Sequence, residues 1–263
     1  MNSRHGGTIM IIYFSATGNN KYLAQRISTE DEEIISITKC MKENRLNISV
    51  PEGESLGIII PTYFWGLPSI VEDFLSRATI NFDNKSYAYA IASYGTTTGN
   101  ALGKIKHYLK RKNITLNAQF EVKMPDTWTV LFDLSDEDEV NILTKNVEEE
   151  LDAIIPRIIN KETTPTGTNI FYKFSSIFSG LMYENSRKTK HLHVLDSCTG
   201  CKLCSLDCPV DAIYIADNKP VWTKDKCVMC LRCLHRCPTF SIQYDDKTAN
   251  HGQYTNKNVT NFD

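Results

Sequence analysis

With 263 residues, 41% of them hydrophobic and 23% charged, the chain is long enough for two domains with a sizeable core in the first. A formal net charge of −2 excludes nucleic acid as the default partner. No apolar run approaches the length of a membrane span, and the run Ile9–Phe14 is too short for a signal peptide, so a cytoplasmic location is expected.

Thr8–Phe14 is continuously apolar and rich in β-branched residues, which predicts a strand buried on both faces of a parallel sheet. The turn Ser15-Ala16-Thr17-Gly18-Asn19-Asn20 follows, then a helix from Lys21 to Ser28. Strand, hydroxyl-rich turn and helix together present backbone N–H groups to a phosphate. The turn lacks the Lys-Ser/Thr ending of a triphosphate loop and the triple glycine of a dinucleotide fold. A plain polar turn capping the helix is the alternative.

Strands are expected at Glu33–Thr38, Leu56–Tyr63, Tyr87–Ser93 and Asn117–Lys123, with helices from about Ser69 to Arg77 and, after Asn100, to about Lys112. The loops Pro61-Thr62-Tyr63-Phe64-Trp65-Gly66 and Ser93-Tyr94-Gly95, continuing to Thr98-Gly99-Asn100, fall at C-terminal strand ends, where open α/β sheets bind ligands. Trp65 and Tyr94 can stack on a flat ring, with packing on the rim as the alternative. Met124–Trp128 reads equally as a lid or a surface loop. Ser135, with Asp138, is expected to cap a helix whose Val140, Leu143, Val147, Leu151, Ile154 and Ile158 face the sheet and whose Glu148–Glu150 face water.

The stretch 163–168 breaks the pattern and marks a domain boundary. Beyond it, Ile170, Phe171, Phe174, Phe178, Leu181 and Met182 recur at helical spacing, followed by basic Arg187, Lys188 and Lys190. A helix docked between domains is favoured over one lying on a membrane surface. The tail after Lys247 carries no motif; it is either disordered or wrapped on the first domain. Cys40 reads as a small core residue.

The densest signal is two cysteine runs. Cys198, Cys201, Cys204, Cys208 and Pro209 recur 29 residues later as Cys227, Cys230, Cys233, Cys237 and Pro238. Three thiolates at this spacing hold three corners of a cubic iron–sulfur cluster, and the fourth cysteine of each run serves the other cluster. Cys198, Cys201, Cys204 and Cys237 are thus assigned to one 4Fe–4S cluster, and Cys227, Cys230, Cys233 and Cys208 to the second. Structural zinc has no use for the third cysteine, and a disulfide framework suits short secreted chains. Lys202, Lys226, Arg232 and Arg236 lie among the ligands and are expected to face solvent.

This block resembles bacterial-type two-cluster ferredoxins over residues 191–247. The turn at 15–20 resembles the phosphate loop of flavodoxins, Ser/Thr-x-Thr-Gly-Asn-Thr/Ser, and departs from it at Asn20. The whole chain resembles the flavodoxin-domain ferredoxin fusion family. The resemblance implies a flavodoxin-like, doubly wound parallel five-stranded α/β sheet, then a small α+β ferredoxin-like two-cluster domain. Expected boundaries are 1–160 for the FMN-binding domain, 161–190 for a helical connector, 191–250 for the cluster domain and 251–263 for the tail. FMN would be held by Ser15, Ala16, Thr17, Gly18, Asn19 and Asn20, by Pro61, Thr62, Tyr63, Phe64, Trp65 and Gly66, and by Ser93, Tyr94, Gly95, Thr98, Gly99 and Asn100. Gly66 is the position expected near the flavin N5 atom. The implied function is electron transfer between two 4Fe–4S clusters, FMN and a redox partner protein. The alternative is a flavin-dependent reductase of a small substrate, for which the loops show no acid–base constellation.

Overall fold

The structure, a computed structural model, describes residues 9–29, 32–83, 85–166 and 170–262, without the side chains of 170–177. The expected strand start at Thr8, the break at Gly167 and Thr168, and the side chains of Ile170, Phe171 and Phe174 lie outside the described residues.

The first half alternates β1 (Ile9–Tyr13), α1 (Asn19–Ile27), β2 (Ile34–Ser36), α2 (Ile37–Lys42), β3 (Asn47–Ser49), β4 (Ser55–Pro61), α3 (Ser69–Arg77), β5 (Thr79–Asn81), β6 (Ala88–Tyr94), α4 (Ala101–Lys110), β7 (Ala118–Lys123) and α5 (Glu137–Ile159). Five strands pair in parallel in the order β2-β1-β4-β6-β7, so the order reverses between β1 and β4. That reversal opens a crevice at the C-terminal edge of the sheet. Both faces are covered because the strands are apolar at both parities. Met10, Ile12 and Phe14 pack with Phe74 and Ile105 on one side; Ile9, Ile11 and Tyr13 pack with Leu23 and Leu151 on the other. Each such burial is worth roughly 1.5–3 kcal/mol. Gly57 of β4 makes room for its neighbour strand, since a Cβ there would stand 2.5 Å from the Tyr89 hydroxyl.

Local chemistry moves several expected boundaries. The second strand stops at Ser36, not Thr38, because the Ser36 hydroxyl accepts the Lys39 N–H at 3.3 Å and starts α2. The short pair β3–β5 escaped the sequence reading, as three-residue strands carry little periodicity. Asp136 rather than Ser135 caps α5: its carboxylate accepts from the Asp138 and Glu139 N–H groups, while the Ser135 N–H bonds Asp133. Val140 and Leu143 are only partly covered. Glu148 is tied down by Tyr22 and Arg26, and Glu150 accepts the Lys123 N–H at 3.0 Å, so the acidic stretch is not simply a solvated face.

The second half contains α6 (Ile170–Ser186), β8 (Leu192–Val194), α7 (Leu203–Leu206), β9 (Ile213–Ala216), β10 (Lys219–Trp222), α8 (Arg232–His235) and β11 (Ile242–Tyr244). Strand β8 pairs antiparallel with β11, and β9 with β10. The sequence repeat is a structural repeat. Helices α7 and α8 each start from a left-handed residue, Lys202 at φ 66° and Leu231 at φ 54°, between the second and third cysteines.

The halves share packing. Val228 joins the core cluster on one face of the large sheet. Tyr183 of α6 donates to the Val228 carbonyl at 2.7 Å, accepts the Ser69 N–H at 3.1 Å and stacks on Phe64. Helix α6 therefore docks between the halves, although Phe178 and Leu181 remain exposed. The tail lies on the first half, with the Leu134 N–H bonded to the His251 carbonyl at 2.8 Å. Among the described residues no helix is long and apolar enough to cross a membrane.

Candidate functional site

At the reversal of strand order lies a cavity of about 340 Å³. One end is the β1–α1 turn, residues 15–17, 19 and 20. The walls are residues 61–65 after β4, 93–97 at the end of β6, and 124–128 after β7, with Leu131, Phe132, Ser179, Met182, Met229 and Cys230 closing the rest. The Ser15 and Thr62 hydroxyls are buried in this wall without a protein partner. Two unanswered hydroxyls and an apolar, aromatic wall fit a flat ligand with a polar, anionic end.

Five residues expected in the site stand off this wall: Gly18, Gly66, Thr98, Gly99 and Asn100. The reasons are local. Tyr63 and Gly66 exchange two backbone hydrogen bonds of 3.0 and 2.9 Å, so the chain turns through left-handed Phe64 and Trp65 and carries Gly66 away. The Asn100 N–H bonds the Trp65 carbonyl at 2.8 Å, and a Cβ on Gly99 would strike Trp65. Thr98 donates to Glu121. The second loop therefore braces the first, and Trp65 and Tyr94 both reach the wall, Trp65 with 42% of its surface exposed. Gly18 adopts φ 96°, open to glycine at little cost, and its far side is covered by Asn256, Val259 and Phe262 of the tail.

Met124–Trp128 contributes a residue that sequence reasoning did not single out. Asp126 lines the cavity, and burial raises its carboxyl above the usual range, against hydrogen bonds from the Trp128 N–H and Thr96. A carboxyl in a lone loop carries no motif; only the fold brings it to the other three loops.

The eight cysteines separate into two small hollows. Cys198, Cys201, Cys204 and Cys237 ring one, with Cys201 exposed; Cys208, Cys227, Cys230 and Cys233 ring the other. Cys204 packs against the patch formed by Cys208, Ala212 and Ile213, so the hollows adjoin. Among the described residues no three His, Cys, Asp or Glu side chains gather as a single-ion site. Rings of four soft donors around a hollow suit a metal–sulfide cluster. Backbone N–H groups of Ala212, Met229 and Ser241 point at the sulfurs of Cys208, Cys227 and Cys237, each at 3.2 Å. Burial pushes the Cys204 and Cys227 thiols up to about 11 and the Cys230 thiol to about 12. Cys237 goes the other way: burial is outweighed by hydrogen bonds from Thr239, Ser241 and Ile242, which lower it.

Cys230 and Met229 line both the second hollow and the large cavity. The two sites therefore share a wall. The basic residues near the thiols do not all face solvent as expected. Lys202 and Lys226 are exposed, but Arg236 pairs with Asp207 over Phe262, and Arg232 is only 1% exposed. His235, fully enclosed, is held neutral by burial, which lowers it to about 4. It donates to the Thr127 carbonyl at 2.9 Å and accepts the Tyr254 N–H at 3.2 Å, joining the cluster region to a cavity loop and to the tail.

Comparison with known proteins follows the same division. The family model of a flavodoxin domain matches residues 10–152, more than half of the chain, and that of a 4Fe-4S dicluster domain matches residues 190–238. An uncharacterized ferredoxin of Methanocaldococcus jannaschii is 39% identical over 46 residues, 18% of this chain and 30% of its own. A ferredoxin of Saccharopolyspora erythraea is 38% identical over 63 residues, 24% of this chain and 59% of its own. The chain thus spans less than two thirds of the length of these curated relatives. A Streptococcus pneumoniae flavodoxin structure aligns over 56% of this chain and 99% of its own, at 17% identity and a TM-score of 0.36.

Proposed function

We propose that this chain, which belongs to the flavodoxin-domain family and also carries a 4Fe-4S dicluster domain, is an electron-transfer flavo-iron–sulfur protein that holds one FMN and two 4Fe–4S clusters in series. Bound there, FMN supplies a centre that exchanges one or two electrons beside clusters that exchange one. Ser15, Ala16, Thr17, Asn19 and Asn20 would take the phosphate, while Trp65 and Tyr94 flank the ring. Cys198, Cys201, Cys204 and Cys237 would hold the outer cluster, and Cys208, Cys227, Cys230 and Cys233 the inner one.

The observation that carries this reading is the shared wall at Cys230. A sulfur ligand of the inner hollow borders the cavity assigned to the flavin, and the outer hollow opens to solvent at Cys201. The chain's contribution is to set spacing, exclude water and tune potentials through N–H···S bonds and burial. A redox partner protein is assigned to the outer face, where Lys202 is exposed beside Cys201. A reducing cytoplasm suits such exposed thiolates.

Anaerobic analysis tests the inventory. About eight irons, eight sulfides and one FMN per chain are expected; four irons would leave one hollow without a cluster. A second reading rests on Asp126, a half-buried carboxyl in the cavity wall, raised above the usual carboxylate range by burial, that an acid–base role toward a small acceptor would use. Rapid flavin reoxidation by a small acceptor without added protein would favour that reading.

A further inference from the structure

The β1–α1 turn is held from behind by the other half of the molecule. Arg232, between inner-hollow ligands Cys230 and Cys233, donates to the Ser15 carbonyl at 2.5 Å and the Ala16 carbonyl at 3.0 Å. It also reaches the Asp207 carbonyl at 3.1 Å and the Phe262 carbonyl at 3.3 Å. The tail takes the next carbonyl, with the Asn256 N–H bonded to Thr17 at 2.8 Å. Tyr254 and Asn256 then both donate to the side-chain oxygen of Asn19, at 2.6 and 3.2 Å.

In a trans peptide the C=O and the following N–H point in opposite directions. Fixing the carbonyls of Ser15, Ala16 and Thr17 on one side therefore turns the N–H groups of Ala16, Thr17 and Gly18 to the other. Anchoring the Asn19 oxygen does the same for its NH2 group. Residues 15–17 and 19 line the cavity, whereas Arg232 does not. The unpartnered Ser15 hydroxyl lies on the same wall. Consecutive N–H groups turned to one side form an anion-binding concavity.

We propose that Arg232 and the tail are positioning residues for the FMN phosphate, so that flavin affinity depends on the inner cluster region being folded. This inference rests on the proposed FMN site and adds a coupling between cofactors. The turn supplies donors but no cationic side chain of its own; the second half supplies the restraint that keeps those donors aligned. Coupling is reciprocal, so bound FMN protects the inner cluster from chelators.

The test compares FMN with riboflavin, which has the ring but no phosphate, on the anaerobically purified full-length protein. In Arg232→Gln the dissociation constant for FMN rises at least about tenfold, as expected for loss of charge-assisted hydrogen bonds. Riboflavin binding stays within about twofold, because its ring contacts are untouched. Asn256→Pro, which deletes both the N–H bonded to the Thr17 carbonyl and the side chain that donates to Asn19, shifts FMN in the same sense with iron content unchanged, and decides the matter if Arg232→Gln loses iron. Unchanged FMN affinity in both variants overturns the coupling, as does an equal loss of FMN and riboflavin. Wild-type protein that binds no FMN overturns the proposed flavin site itself, and the coupling with it.

Discussion

The two cysteine runs repeat in sequence and in local fold, yet they face opposite environments. Lys202 and Leu231 occupy the same step of the repeat, both left-handed; the first is in water and the second is buried. Leu206 is 72% exposed, whereas its counterpart His235 is 4% exposed and bonded to a cavity loop. Ligand spacing builds the hollow. The residues between the ligands decide which hollow meets a partner and which meets the large cavity.

The largest expected effect separates the hollows directly. Cys201→Ala and Cys230→Ala should each lower iron from about eight to about four per chain. Only Cys230→Ala should also weaken FMN retention, read as flavin released on a desalting column. Equal flavin loss in both variants would erase the distinction between inner and outer sites.

Leu234, fully buried beside Met229 and Ile242, sharpens the same contrast in stability. Leu234→Ala should cost about 2–5 kcal/mol in anaerobic denaturation of the loaded protein. A cost under about 1 kcal/mol would mean that the inner side is not packed as described.

Asp126 tests the cavity side of the inner site. Its folded pKa is raised by burial, so its contribution to stability is full below the unfolded carboxyl value and is lost as pH rises through the folded one. Asp126→Asn keeps an uncharged group that can still accept the Trp128 N–H. It should raise the melting temperature at neutral pH and flatten the pH dependence of melting between acid and neutral. Parallel pH curves for variant and wild type would remove Asp126 from the account. The smallest effect belongs to the outer side, where Leu206→Ala should change stability by no more than about 0.5 kcal/mol.

Much of this was legible in the chain. The cysteine repeat, the turn at 15–20 and the parallel strands carry their signal within a few residues of sequence. Helix Ser69–Arg77 lies where it is expected, because Pro68 and an amphipathic run bound it. What escaped depends on distance along the chain. Arg232 and Ala16 are 216 positions apart, so nothing near either predicts their bond. The tail looks motif-free because its work is done by backbone N–H groups and by Tyr254 and Phe262, which any polar segment can contain. Gly99 is among the residues expected to hold the ring; in the fold a Cβ there would strike Trp65, so this glycine also lets the second loop approach the first. Glycine announces close contact but not with what.

The most direct test of the central claim is rapid anaerobic mixing with a reduced iron–sulfur protein donor too large to enter the cavity, with cluster and flavin absorbance followed together. In wild type, cluster absorbance should change first and flavin reduction should follow at a rate independent of donor concentration; in Cys230→Ala reconstituted with FMN, that second phase should disappear. Flavin reduction at an undiminished rate in the variant would contradict an inner cluster standing between the partner and the flavin.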